Sequence, residues 1–151
     1  MNRQFVRDRE SPAASPKIAV RLPLRNESDV AAAYRAVREL ARTHGMPFTA
    51  IEELVTGVSE IARNVIDHAG EGELLAGTLR HEGRAALVVI TEDRGPGIAN
   101  VEAALVDGFS TGTGLGLGLA SASRFVDAFE IDTELDRGTT VTLTKWIDRP
   151  R

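Results

Sequence analysis

Two glycine-dense stretches constrain this chain more than any other feature: Asp93-Arg94-Gly95-Pro96-Gly97-Ile98 and Gly112-Thr113-Gly114-Leu115-Gly116-Leu117-Gly118. Glycine lacks a Cβ, so its backbone can take positive φ and come close to an anion or a flat ring. The second stretch runs directly into Leu119-Ala120-Ser121-Ala122-Ser123-Arg124, which reads as a helix start. A helix N-terminus offers unpaired N–H groups and the positive end of its dipole to a phosphate. Asp93 supplies a different chemistry, a carboxylate able to accept a hydrogen bond from an exocyclic amine such as that of adenine. One loop for a base and one for phosphates describes a nucleotide site, although either loop alone could be a tight surface turn.

Two common phosphate motifs are excluded. A P-loop requires lysine followed by serine or threonine after its last glycine, and no lysine stands in or just after Gly112–Gly118. A dinucleotide fingerprint fails as well, because Leu117 occupies the place of its third glycine and Gly118 comes one residue late.

A third element is Glu60-Ile61-Ala62-Arg63-Asn64. Thr49-Ala50-Ile51-Glu52 has the form of a capping box and predicts a helix start. Ile51, Leu54, Val55, Val58, Ile61, Ala62, Val65 and Ile66 then recur at helical spacing. Glu60 and Asn64, four apart, project from the same face. A carboxamide oxygen suits Mg²⁺, which takes few protein ligands when nucleotide phosphates supply the others. A carboxylate one turn away can bind the ion through water or accept a proton from an attacking hydroxyl. In isolation, Glu-x-x-x-Asn is a common solvated helix face.

In this order and spacing, Glu60/Asn64, the Asp93-x-Gly95-x-Gly97 turn and the Gly112–Gly118 loop resemble the N, G1 and G2 boxes of the GHKL ATPase superfamily, which includes gyrase, Hsp90, histidine kinases and MutL. The resemblance spans about residue 17 to the end of the chain. It is strongest to the small anti-sigma serine/threonine kinases. Asp107-Gly108-Phe109-Ser110-Thr111, Gly138-Thr139-Thr140-Val141 and Lys145-Trp146 look like those of the RsbT-type switch kinases of stressosomes.

This resemblance implies an α+β fold, a two-layer sandwich of the Bergerat (GHKL) type with helices on one face of a mixed, mainly antiparallel sheet. It implies ATP and Mg²⁺ as cofactors. Asp93 would receive the adenine amine with Thr139 or Thr140 helping, and Gly95 and Gly97 would let the backbone pass under the base. Asn64 would hold the metal. The backbone of Thr113, Gly114, Leu115, Gly116, Leu117 and Gly118 would hold the phosphate oxygens, and Glu60 would be the catalytic base. The implied partner is a STAS-domain protein substrate, with a phosphatase or sigma factor as a further partner and a homodimer as a possible assembly. The alternative is a nucleotide-gated anti-sigma factor that sequesters a sigma factor; an intact Glu60 favours the kinase. A histidine kinase is disfavoured because the chain has no helical hairpin with a phosphoacceptor histidine.

Composition agrees with one folded unit. The chain has 151 residues, 42% of them hydrophobic, enough for a single core. A net charge of −4 argues against a general nucleic-acid binder, and no apolar run approaches a membrane span. The absence of cysteine excludes disulfides and thiolate chemistry and fits a cytoplasmic protein. Residues 1–16, with Ser11-Pro12-Ala13-Ala14-Ser15-Pro16, read as a flexible tail, and 17–151 as the ATPase/kinase domain. Strands are expected over 17–24, 73–80, 84–92, 129–134 and 139–146. Helices are expected over 29–44 with Ser28 as cap, over 49–69, and over 115–127. His81-Glu82-Gly83 and Asp136-Arg137-Gly138 read as turns, and 93–113 as largely irregular. Gly57 inside the second helix implies close packing against a neighbour, and the phenylalanines read as core or lid residues. Arg63, Asp67 and His68 stay open between phosphate contacts and surface roles.

Overall fold

The computed structural model of the chain describes residues 3–7, 12, 14–105 and 117–147. Among these, the elements run β1 (Arg3–Arg7), β2 (Lys17–Leu24), α1 (Glu27–Thr43), α2 (Phe48–Ala69), β3 (Gly72–His81), β4 (Arg84–Asp93), α3 (Val101–Ala104), α4 (Leu117–Arg124), β5 (Ala128–Glu134) and β6 (Gly138–Trp146). The strands form one sheet in the order β1-β5-β6-β4-β3-β2. Every neighbouring pair is antiparallel.

Periodicity explains both layers. Along α2, Leu54, Val58 and Ile61 fall on one stripe and are fully or almost fully buried. They meet the alternate residues of the sheet that share their face: Leu74 and Ala76 of β3, Leu87 and Val89 of β4, Ile131 of β5 and Leu143 of β6. Each buried leucine or isoleucine contributes about 1.5–3 kcal/mol by leaving water. α2 crosses β2, β3, β4 and β6, with α1 and α4 packed against it, so the helices share one face of the sheet in the expected two-layer sandwich. On the opposite face Leu79, Ala86 and Val88 form a smaller cluster with Ile90 and Trp146, and the Arg84 guanidinium lies 4.0 Å from the centre of the Trp146 ring.

The β3–β4 turn is made by Glu82 and Gly83, both at positive φ, which matches the twist of a two-residue hairpin. β2 to β6 lie within a residue or two of the expected spans, and α2 ends at Ala69 with Gly70 at φ 85°.

Several expectations are corrected. The tail expected over 1–16 contains β1, which pairs with β5 from Arg3↔Glu134 to Arg7↔Glu130. The Arg3 guanidinium grips both oxygens of Asp132 at 3.0 and 2.7 Å. Asn26, not Ser28, caps α1, its side chain accepting from the Asp29 N–H at 2.9 Å. α2 begins at Phe48 with Pro47 as cap residue and no side-chain cap bond, so the Thr49–Glu52 capping box is not formed. Pro47 fixes the extended entry, and its carbonyl accepts the first helical bond, from the Ile51 N–H at 3.0 Å. Inside the expected irregular region, Asn100 caps the short α3. α4 stops at Arg124, because the Asp127 N–H is already drawn to the Thr144 carbonyl at 3.0 Å.

Gly57 is not a site of forced contact. A Cβ there would lie 3.4 Å from a Leu143 methyl and 3.6 Å from the Ala122 carbonyl, which is room enough for alanine. Phe5 and Phe48 are exposed by 52% and 76%, respectively, rather than buried in a core. Phe109 lies outside the described residues, and Phe129 packs against the core.

Candidate functional site

The sheet's central strands and α2 converge on one cleft. Asn64 and His68 reach it from the last turns of α2, Thr91 and Asp93 from the end of β4, Thr139 and Val141 from the start of β6, and Gly97 from the loop after β4. The cleft is open at its mouth. Its other walls are apolar, formed by Ile61, Val65, Ile98 and Leu119 among others. Flat apolar walls around one carboxylate can hold a planar ring that donates a hydrogen bond.

Asp93 is the chemical centre of the cleft. Antiparallel pairing places it opposite both Gly72 and Thr139 at the last position of β4. Its carboxylate accepts the Gly95 N–H at 2.9 Å. Burial pushes its pKa above the ordinary aspartate value, while the N–H groups of Gly95 and Thr139 and the charge of His68 pull the other way. The turn after it admits no larger residues. A Cβ on Gly95 would lie 2.6 Å from the Ala69 methyl, and Gly97 has φ 79° with its missing Cβ aimed at the Glu134 carbonyl.

A layer of hydroxyls supports this end. The buried Thr133 side chain accepts the Ile98 N–H at 3.0 Å and shares a hydrogen bond with the Thr139 hydroxyl at 2.8 Å. The strand pairing Thr133↔Thr139 brings the two hydroxyls together. Thr133 was not singled out by its sequence context, since an isolated threonine in a strand carries no signal.

Asn64, Asp93, Gly97 and Thr139 therefore line one cleft, and Gly95 is bonded to Asp93 beside it. Glu60 lies one turn before Asn64 on α2, half-buried and not among the cleft-lining residues. Thr113, Gly114, Leu115 and Gly116, like the 107–111 segment, lie outside the described residues; Leu117 and Gly118 begin α4. Of the residues left open, His68 faces the cleft, Asp67 is exposed, and Arg63 is exposed with its guanidinium 3.8 Å from Glu27.

Lys145 is a further surprise. It is almost fully buried on the helix face of β6, donating to Glu53 of α2 at 3.0 Å and to the Phe125 carbonyl just beyond α4 at 2.9 Å. It therefore ties the end of α4 to α2.

Comparison with known proteins bears on this architecture. Residues 22–145 match the family described as the histidine kinase-like ATPase domain. The chain belongs to the histidine kinase-like ATPase family. The matched span of this family member contains Glu60, Asn64, Asp93, Thr139 and both glycine loops. The chain is also 34% identical over 121 residues to the serine/threonine-protein kinase RsbT of Bacillus subtilis (strain 168), covering 80% of this chain and 91% of that one. Among solved structures it resembles the RsbU and RsbW domains of Rv1364c from Mycobacterium tuberculosis, with a TM-score of 0.58 and 23% identity. That likeness covers 87% of this chain and 34% of the longer one, and it supports the fold.

Proposed function

We propose that this protein is an ATP- and Mg²⁺-dependent serine/threonine protein kinase that acts in the cytoplasm on a STAS-domain protein, as a partner-switching regulator of a stress or sigma-factor pathway. The observation that carries this reading is the convergence of Asn64, Asp93, Gly97 and Thr139, from separate motifs, on one cleft. The likeness to RsbT over most of both chains supports the choice of hydroxyl acceptor.

The residues present fit the nucleotide. Asp93, held by the Gly95 N–H, keeps acceptor capacity for an adenine amine. Ile61, Val65, Ile98 and Val141 give the ring its apolar walls. Asn64 presents the carboxamide for Mg²⁺. Among the described residues no group of three or more acidic or histidine side chains could hold an ion unaided, so phosphate oxygens and water would complete its shell. When bound, Mg²⁺ supplies neutralisation of phosphate charge.

Glu60, one turn before Asn64 on α2, is in this reading the base that meets the substrate hydroxyl. The hydroxyl oxygen forms a bond to the γ-phosphorus as the bond to the β-phosphate oxygen breaks. The hydroxyl proton passes to Glu60, and ADP leaves. Phosphoryl transfer asks for positioning and charge stabilisation more than covalent chemistry. Glu60→Gln tests the assignment: calorimetry should show ATP binding within about twofold of wild type while transfer falls by at least about a hundredfold, the scale of losing a general base. Normal transfer by this variant would remove Glu60 from the role.

A further inference from the structure

We infer that Gln4, on the N-terminal strand β1, is a positioning residue for the base-binding end of the cleft. The inference rests on the nucleotide reading of that cleft and extends it to a segment that no motif includes.

Both N–H donors and the oxygen of the Gln4 side-chain amide are engaged. Its NH₂ donates to the Ile98 carbonyl at 3.0 Å and to the Ala99 carbonyl at 2.9 Å. Its oxygen accepts the Val101 N–H at 3.0 Å, one of the unpaired amides that open α3. A single side chain, reaching across 94 or more positions of sequence, thus satisfies three backbone groups in four consecutive residues. Those residues continue the turn that forms the cleft floor, since Gly97 and Ile98 line the cleft. From Ile98 the chain of bonds runs inward to Thr133 and from Thr133 to Thr139, which pairs with Asp93 across β4 and β6. Gln4 is the outer anchor of this series and Asp93 its inner end.

Geometry leaves few substitutes. Glutamate keeps the acceptor but turns negative charge toward two carbonyls; lysine and arginine have no acceptor; methionine has similar length and neither function. Release of the 98–101 backbone would loosen the base end of the cleft, which Gly97 and Ile98 line. AMP, ADP and ATP share the base, so all three should weaken by one common factor.

The test is calorimetry with AMP, ADP and ATP on wild type, Gln4→Met and Arg3→Ala, each checked by thermal melting. Arg3→Ala removes the ion pair to Asp132 that helps hold β1 and leaves the Gln4 amide intact. Gln4→Met should weaken all three nucleotides by about five- to tenfold, the scale of about one to two net hydrogen bonds. Arg3→Ala should stay within about twofold, as an exposed ion pair is weak. The inference is overturned if Gln4→Met binds as wild type, if only ATP weakens, or if Arg3→Ala weakens binding equally. If Gln4→Met does not fold, Gln4→Glu gives the same comparison with the same two outcomes. Absence of any nucleotide binding by folded wild type would instead overturn the nucleotide reading, and this inference with it.

Discussion

Replacing Asp93 with asparagine should separate nucleotide affinity from fold stability. Gly95 fixes one carboxylate oxygen at 2.9 Å, so the single carbonyl oxygen of asparagine would take that place. Its NH₂ would then stand where the second carboxylate oxygen was, and a donor would meet the donor of the base. A hydrogen bond to a charged partner is worth about 1.5–3 kcal/mol, so ATP should bind about 10- to 150-fold more weakly. Stability should move the other way. Burial raises the Asp93 pKa, so the folded state holds its proton to higher pH than the unfolded state does. The contribution of this group to stability is complete below the unfolded aspartate value and is lost as pH rises through the folded one. At neutral pH the ionised carboxylate therefore costs stability, and Asp93→Asn should melt at or above the wild-type temperature without ligand. Calorimetry with ATP and thermal melting at pH 7 would read both. Near-normal ATP affinity would refute the acceptor role, and a lowered melting temperature would refute the desolvation argument.

Two other substitutions probe α2 and its neighbours. Gly57→Ala should stabilise the protein by up to about 1 kcal/mol in denaturant unfolding, because a methyl group fits there and alanine is the better helix former. Lys145→Met should cost about 1–3 kcal/mol in the same assay by removing the partner of the part-buried Phe125 carbonyl; an unchanged midpoint would mean that the Glu53 and Phe125 contacts do not hold α4.

Much of the sandwich was legible because its signals are local. α2 carries its apolar stripe over 22 residues, and β3 and β4 are ten-residue strands joined by a hairpin turn. That Asn64, Asp93 and Gly97 line one cleft was foreshadowed for a different reason, since they stand in short motifs of fixed spacing, while Thr139 was pointed to by the family resemblance. β1 was not. Arg-Gln-Phe-Val-Arg is short and half polar, and its pairing partner lies more than 120 residues away. The roles of Gln4, Thr133 and Lys145 were hidden for the same reason, because each depends on a contact that only the sheet order creates. The caps were misplaced by competition between neighbours. Asn26 and Ser28 are both good cap residues, and the Asn26 side chain takes the Asp29 N–H.

The measurement that tests the central claim most directly is intact-mass spectrometry of a STAS-domain protein encoded beside this chain, after incubation with Mg²⁺ and ATP. The account predicts one added phosphate with the wild-type protein and none with Glu60→Gln. An unmodified STAS protein, in the presence of wild-type protein shown to bind ATP, would contradict the kinase assignment and point to a nucleotide-gated binder of sigma factors.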